Sequence, residues 1–221
     1  IYPEFFSFIS KKLRDKFPKD IEVMSFHVSV LLANKQLNEA EKLLREIILI
    51  KPKETQYQVY LANILSKQSG REREVLSIAD YIIQIAPGKV QAYVFKTGYL
   101  IEQKKFLAAK QLADHVDKLF PQLIVGKQLK AKVFLVEGDV TKALEQYQQV
   151  YRTSPSDKVL RIIVSLFEQK NQLSQAIKWV EARLAKKSDL DFTLVLANLL
   201  QKNKQYNVAE SHYLSILEQR P

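Results

Sequence analysis

The chain has no cysteine, one tryptophan and only five glycines among its 221 residues. The absence of cysteine excludes disulfides and thiolate metal sites, and it leaves both reducing and oxidising compartments open. No stretch approaches the roughly 18 consecutive apolar residues of a membrane helix, and the first residues lack the order of a signal peptide. The compartment stays unknown, with the cytoplasm and a bacterial periplasmic or lipid-anchored location as alternatives.

Sequence motifs of catalysis and metal binding are also missing. No His-Glu-x-x-His pattern, glycine-rich phosphate loop or nucleophile elbow occurs. The three histidines, His27, His115 and His212, are far apart in the chain, and none has a second ligand at metal-binding spacing. We therefore predict that the protein is not an enzyme and that it binds neither a cofactor nor a metal.

Proline, although scarce, recurs with a regular period. Prolines, or one serine in their place, end six segments at intervals of 35, 34, 34, 33 and 33 residues. A small or slender residue precedes each of them by twelve positions. A fixed period of this length is the sequence signature of a helical array. The pairs are Ala40 with Pro52, Val75 with Pro87, Ala109 with Pro121, Ala143 with Pro155, Ala176 with Ser188, and Ala209 with Pro221.

Each repeat also contains a second helical pattern. An apolar run of helical period lies upstream of a polar turn, and it carries another slender residue about twelve positions before the first. Small residues on facing helices allow antiparallel helices to approach to about 8 Å. We predict an all-α superhelix of helix pairs without a single central core. The slender residues of the first helices are Val28, Ala62, Thr97, Ala131, Val164 and Ala197.

These copies resemble the tetratricopeptide repeat, a helix–turn–helix of about 34 residues with small residues in both helices and a closing proline. Tyr93 stands where that family often has Trp. Phe106 and Tyr206 occupy the aromatic position of the turn, and Tyr147 and Tyr213 that of the second helix. The glycine usual in the first helix is missing. The resemblance implies a right-handed α-solenoid of about six repeats plus a half-repeat, which acts as an interaction scaffold.

The boundaries of the repeats follow from the spacing. Residues 1–20 are expected to form the second helix of a truncated preceding repeat, because Pro18 lies 34 residues before Pro52. Alternatively, they form an amphipathic capping helix. In the first case the chain is an excised piece of a longer protein, and its exposed apolar ends allow dimerisation. The six predicted repeats are residues 21–52, 53–87, 88–121, 122–155, 156–188 and 189–221.

Single residues of the second helices give two local predictions. Asn38 and Glu41 have the spacing of an N-cap residue and its reciprocal acid, which predicts a helix start at Asn38. Trp179, on the second helix of the fifth repeat, is interpreted as a packing residue.

The first helices of such arrays line the concave face, which usually binds the partner. The residue two positions before each slender first-helix residue is apolar in all six repeats, and the residue one position after it is small or polar. An apolar column beside hydrogen-bonding groups suits a peptide. Alternatively, the apolar column packs against a neighbouring repeat, most of all at Leu129, Ile162 and Val195. The predicted partner-binding residues are Phe26, Tyr60, Asn63, Phe95, Lys132 and Asn198.

The net charge of +10 gives an alternative partner, because a basic surface attracts RNA or an anionic polysaccharide. The basic residues are scattered, however, and the apolar column lacks the polar pairs of a base reader. The sequence therefore favours a protein or peptide over nucleic acid. Ser25 and Ser29 replace the Lys and Asn of the carboxylate clamp that binds chaperone tails, so that specificity is not predicted. The Lys-rich, Gly-poor repeats also resemble bacterial exopolysaccharide-export and protein-sorting proteins.

Overall fold

The computed structural model describes residues 3–219, which contain thirteen α-helices and no strand. After α1 (Pro3–Lys16), the helices follow one another in pairs. Among the described residues, no helix has the length and apolar character that crossing a lipid bilayer requires. The pairs are α2 (Ile21–Ala33) with α3 (Leu37–Ile50), α4 (Thr55–Leu65) with α5 (Glu72–Ile85), α6 (Val90–Glu102) with α7 (Phe106–Leu119), α8 (Val125–Glu137) with α9 (Val140–Thr153), α10 (Asp157–Gln169) with α11 (Leu173–Leu184), and α12 (Leu190–Lys202) with α13 (Tyr206–Gln219).

The chain divides into two compact units, Ile1–Tyr99 and Leu100–Pro221. In the N-terminal unit α1 packs against α2, α2 against α3, α3 against α4, and α4 against α5. In the C-terminal unit the same holds from α7 to α13. The connections within the helix pairs are short, so consecutive helices run antiparallel. Each unit is therefore built from helix hairpins that bury their apolar faces against their neighbours.

The slender residues that define the period lie at the helix contacts. None of the twelve is more than 5% exposed. Ala or Val at these positions keeps the backbones of paired helices close, because a larger side chain would hold them apart. They are Val28, Ala62, Thr97, Ala131, Val164 and Ala197 on the first helices, and Ala40, Val75, Ala109, Ala143, Ala176 and Ala209 on the second helices.

Each unit has its own apolar core. In the N-terminal unit, Met24, Leu44 and Leu65 are among the fully buried residues of α2 to α5. In the C-terminal unit, Leu160 and Phe192 belong to a cluster that extends from α8 to α13. The second helices have one apolar stripe, as expected of elements that bury a single face.

The turn inside each of the six helix pairs contains one residue with a left-handed backbone. Glycine occupies this position in two of the turns, where its lack of a Cβ removes the steric cost. Lysine or asparagine occupies it in the other four. The spacing of these residues is 35, 34, 34, 33 and 33, which equals that of the prolines. The residues are Lys35, Gly70, Lys104, Gly138, Asn171 and Lys204.

The start of α3 differs from the sequence-based expectation. α3 begins at Leu37, with Gln36 as its N-cap residue and without a side-chain cap hydrogen bond. Asn38 lies inside the first turn, so the prediction of a capping box at Asn38 and Glu41 is wrong. The Glu41 carboxylate instead accepts hydrogen bonds from two arginine side chains. Donor and acceptor are both charged in these bonds, which makes them short and strong.

Helix α1 packs against α2 with only part of its apolar surface. Ile9 and Leu13 are half-buried. Phe5, Phe8 and Phe17 are between 44% and 57% exposed. This exposure is compatible with both interpretations of residues 1–20, which stay predictions together with the repeat boundaries. The closing proline of the last repeat, at position 221, lies outside the described residues.

Candidate functional site

The first-helix face of the N-terminal unit is the exposed side of α2, of α4 and of α6 up to Tyr99. Three predicted aromatic residues lie on these helices, each two positions before the buried slender residue. Tyr60 is 48% exposed, whereas Phe26 and Phe95 are half-buried. Tyr60 is therefore the most accessible aromatic ring of this face.

Phe95 also contributes to the core of its unit. Its ring stacks on that of Tyr99, with the centroids 6.4 Å apart and the planes at 7°. It packs against the buried cluster of the N-terminal unit. Part of its ring is thus engaged in packing, as the alternative interpretation of the apolar column expects, and part remains accessible.

Polar side chains on this face bond to their own helices. Asn63 is exposed, and its Nδ2 donates to the Val59 carbonyl at 2.9 Å. Ser29 Oγ donates to the Ser25 carbonyl at 3.1 Å. One N–H of the Asn63 amide is used in this way, so its second N–H and its side-chain oxygen are available to the backbone of a partner.

The first-helix face of the C-terminal unit is the exposed side of α8, α10 and α12. Lys132 and Asn198 are both exposed. The Tyr213 hydroxyl on α13 lies within hydrogen-bonding distance of Asn198 Oδ1, at 2.7 Å, and of Gln201 Oε1, at 2.9 Å. These contacts hold the Asn198 side chain in one orientation, which reduces the entropy lost if a ligand binds to it.

The apolar column of the C-terminal unit is mostly engaged in packing. Leu129 is only 5% exposed. Ile162 and Val195 are half-buried and pack against the cluster of their unit. These positions have the burial that the packing alternative expects.

The sequence reasoning missed the position one residue earlier, which is exposed in four of the six first helices. Val94 is 39% exposed and Leu194 is 44% exposed. Arg161, at the same position of α10, is exposed, and its guanidinium lies 4.7 Å from the centroid of the Phe192 ring. Spacing alone could not separate two adjacent columns that are 100° apart on a helix.

The side chain of His27, on α2, contacts α1. His27 Nδ1 lies 3.0 Å from the Ser10 hydroxyl, which donates to the Ser7 carbonyl. Burial, followed by the positive charge of Arg14, lowers the pKa of His27 and favours a neutral ring at neutral pH. Within residues 3–219, no group of three or more His, Cys, Asp or Glu side chains is placed to hold a metal ion.

Comparison with known proteins gives similarity at the level of structure. No described protein family and no curated protein matches the sequence. Residues covering 96% of the chain superpose on 86% of a tetratricopeptide repeat protein from Parabacteroides merdae, with a TM-score of 0.62 and 11% identity. The chain has the tetratricopeptide-repeat fold. The predicted all-α helical-repeat fold is therefore confirmed.

Two further structures have the same tetratricopeptide-repeat fold. One is PilF of Pseudomonas aeruginosa, with a TM-score of 0.59 and 16% identity over 96% of this chain and 94% of PilF. The other is the Cut9–Hcn1 hetero-tetramer of the APC/C, with a TM-score of 0.57 and 15% identity over 99% of this chain. The chain spans only 44% of the matched chain in that complex.

Proposed function

We propose that this tetratricopeptide-repeat chain is a non-catalytic scaffold that binds a peptide segment of a protein partner on the first-helix face of its N-terminal unit. The observation that carries the proposal is the exposed pair of Tyr60 and Asn63. They are three residues apart on α4, so their side chains share one face of the helix. Tyr60 offers apolar area, and Asn63 offers a hydrogen-bond acceptor for a peptide backbone.

Phe26 and Phe95 extend the same surface. They lie on the first helices before and after α4, and both are half-buried. A half-buried ring loses little side-chain freedom on binding, and aromatic residues of this kind often supply most of the affinity of an interface. The solved Cut9–Hcn1 complex, whose fold is similar, is itself an assembly of different chains. That similarity supports a scaffold role.

The C-terminal unit offers a second, separate contact area. Lys132 and Asn198 are exposed on its first helices, and Lys132 forms no ion pair among the described residues. We include both side chains in the proposed partner-binding surface. An unpaired lysine attracts an acidic partner and raises its rate of association.

A direct test uses peptides selected from a random library displayed on phage, with the whole chain as bait. Isothermal titration then compares the selected peptide on the wild type with Tyr60→Ala and Asn63→Ala. We expect Tyr60→Ala to weaken binding by at least about tenfold, because a central aromatic residue commonly contributes more than about 1.4 kcal/mol. Asn63→Ala should weaken it less.

Tyr81 provides a matched control, since it is 38% exposed and lies on the second helix α5. Tyr81→Ala removes a similar aromatic area from a different face and should leave peptide affinity unchanged. Circular dichroism checks that each variant keeps its helices. Equal affinity of Tyr60→Ala and the wild type would contradict the proposal.

An anionic polymer is the second candidate partner. Lys132 and Arg161 both expose positive charge on the first-helix face of the C-terminal unit. A gel shift with short RNAs and with alginate, at low and at physiological salt, tests this. Retention of either polymer at physiological salt, with loss in Lys132→Glu, would favour it over a peptide.

A further inference from the structure

A cavity of about 480 Å³ opens between α9 and α11, two second helices of the C-terminal unit. Tyr151 and Arg152 line it from α9, and Pro155 lines it from the segment after α9. Trp179 and Ala182 line it from α11. All of these residues lie on, or just after, the second helices α9 and α11, and the cavity shares no residue with the proposed peptide site.

Aromatic side chains form the floor of this cavity. The Tyr151 and Trp179 rings are 5.4 Å apart and meet edge to face, at 68°. Phe167 contacts the indole from α10, with the centroids 6.4 Å apart. Trp179 packs against these rings and remains only half-buried. It therefore both packs and borders an open space, whereas the sequence predicted packing alone.

The rim of the cavity is positively charged. Arg152, Lys178 and Lys186 are exposed, and none forms an ion pair within residues 3–219. The remaining cation, Arg183, is already held by two hydrogen bonds to the Asp157 carboxylate, at 2.8 and 3.0 Å. No carboxylate side chain lines the cavity among the described residues. Three positive charges, which no carboxylate of the cavity lining neutralises, thus surround an apolar floor.

The corresponding place in the N-terminal unit, between α3 and α5, is chemically different. Ile78 stands there in place of Trp179. Tyr81 stands in place of Ala182, and its hydroxyl lies 3.3 Å from the Pro52 carbonyl. The cavity is smaller, about 320 Å³, and it contains Glu74, which forms an ion pair with Arg45.

The open space beside Ala182 and the two lysines of this cavity are absent from its counterpart in the N-terminal unit. Ala182 leaves open the space that Tyr81 occupies in the N-terminal unit. Lys178 and Lys186 replace the uncharged Ser77 and Ile85 at the equivalent positions. A packing requirement common to all repeats therefore accounts for neither the space nor the charge.

We propose that this cavity binds an acidic peptide segment, which inserts an aliphatic side chain beside Trp179 and places its carboxylates on Arg152, Lys178 and Lys186. An apolar pocket with a few polar groups at its edge is typical of ligand sites. Basic side chains recognise acidic motifs through charged hydrogen bonds. The site does not depend on the proposed function of the first-helix face.

A peptide fits the cavity better than a polysaccharide or RNA does. Sugars and bases stack on open aromatic faces, whereas Trp179 already contacts the Tyr151 and Phe167 rings. The site is also a single concavity, whereas a strand of nucleic acid follows an extended basic groove. An inserted side chain uses the depth of the cavity, and flanking carboxylates use its rim.

Because Trp179 is the one tryptophan in the chain, its fluorescence reports on this cavity alone. The whole chain is titrated with the synthetic peptide acetyl-EEDLDEE-amide. We expect a saturable shift of the emission to shorter wavelength as the leucine excludes water from the indole. The same peptide with alanine in place of leucine should bind about tenfold more weakly, and a peptide with lysine in place of each acid should produce no shift.

Two variants test the floor and the rim separately. Ala182→Tyr places in this cavity the residue that the N-terminal unit has at the same position, so the fold should be retained. It should weaken binding at least about tenfold. The double variant Lys178→Glu, Lys186→Glu changes only exposed charges and should abolish the shift. The double variant Lys42→Glu, Lys118→Glu, which reverses two exposed lysines outside the cavity, is the charge-matched control and should bind nearly as the wild type does.

The outcomes separate this site from the proposed function. Tyr60→Ala should leave the fluorescence titration unchanged, whatever it does to binding on the first-helix face. No emission change with the leucine peptide would overturn the inference, and so would equal affinity in the lysine double variant. A response to alginate or polyuridylate in the absence of a response to the peptide would overturn it in favour of an anionic polymer.

Discussion

A Cβ atom added to Gly126 would lie 2.5 Å from the Cα of Asp117. Gly126 is in the first turn of α8, and Asp117 is near the end of α7. Carbon atoms that are not bonded to each other do not approach so closely, because optimal contact is at about 3.5–4.0 Å. The two helices can therefore pack as they do only because residue 126 has no side chain.

We expect Gly126→Ala to lower the free energy of unfolding by about 1–3 kcal/mol, because the backbones of α7 and α8 must move apart. This loss should exceed the gain of about 1 kcal/mol in helix propensity. Chemical denaturation followed by circular dichroism measures the difference. Gly98→Ala is the matched control, since nothing lies within 4 Å of its added Cβ. A Gly126→Ala variant as stable as the wild type would show that the helices separate at little cost.

Thr97 is the one polar member among the slender residues of the first helices. It is fully buried, and its hydroxyl has no hydrogen-bond partner among the described residues. We expect Thr97→Val to raise the free energy of unfolding by about 1 kcal/mol, because it removes an unsatisfied polar group at nearly constant shape. Thr97→Ser keeps the hydroxyl and removes a methyl group, so it should be destabilising. Thermal unfolding of both variants tests the prediction, and a loss of stability in Thr97→Val would reveal a hydrogen bond to the hydroxyl.

The repeat fold could be predicted from the sequence because helix packing leaves a direct trace in it. Facing helices need small residues at their closest approach, and such residues as Ala40 and Ala62 therefore recur with the period of the repeat. Their burial follows from the same requirement. The pairing of the helices depends on contacts local to the chain, which spacing can report.

Features that depend on contacts between elements could not be predicted in this way. Phe26, Tyr60 and Phe95 occupy one position of the repeat, yet their exposure differs because their neighbours differ. The cavity beside Trp179 needs Ala182 on the same helix and Tyr151 on another. The pattern of a single helix contains no information on that combination.

An ion-pair network joins α3 to α5 and gives stability a dependence on pH. Arg45 Nη2 lies 2.8 Å from Glu41 Oε1 and 2.6 Å from Glu74 Oε1. Arg71 Nη2 lies 3.0 Å from Glu41 Oε1 and 2.6 Å from Glu74 Oε2. Burial opposes ionisation of the two carboxyl groups, but the hydrogen bonds from both arginines prevail and hold the pKa of Glu41 and of Glu74 below the usual range.

A lowered pKa in the folded state fixes the sign of the effect. The stabilisation is fully present above the pKa of the unfolded chain, and it is lost as the pH falls through the folded values. We expect Glu41→Gln to lower the free energy of unfolding by about 1 kcal/mol at neutral pH. The difference from the wild type should shrink as the pH falls below about 4.

Urea denaturation at a series of pH values measures this dependence. Glu39→Gln is the control, because it removes the same charge from α3 at an exposed position. It should change stability little at any pH. A difference between Glu41→Gln and the wild type that stays constant down to strongly acid pH would contradict the role of the network.

The left-handed turn residues give the last prediction. Lys204, between α12 and α13, has a φ of 62°, and Gly138, between α8 and α9, has a φ of 90°. A residue with a Cβ pays about 1–2 kcal/mol in this conformation, whereas glycine loses more entropy on folding, by about 0.4–1 kcal/mol. Lys204→Gly should therefore raise the free energy of unfolding by about 0.5–1 kcal/mol.

The reverse exchange at the equivalent turn serves as its counterpart. Gly138→Ala should be destabilising by a similar amount, since nothing within 4 Å of the added Cβ introduces a clash and only the backbone conformation changes. Thermal unfolding monitored at the helix signal compares both variants with the wild type. If both substitutions shift the melting temperature in the same direction, backbone strain does not determine the stability of these turns.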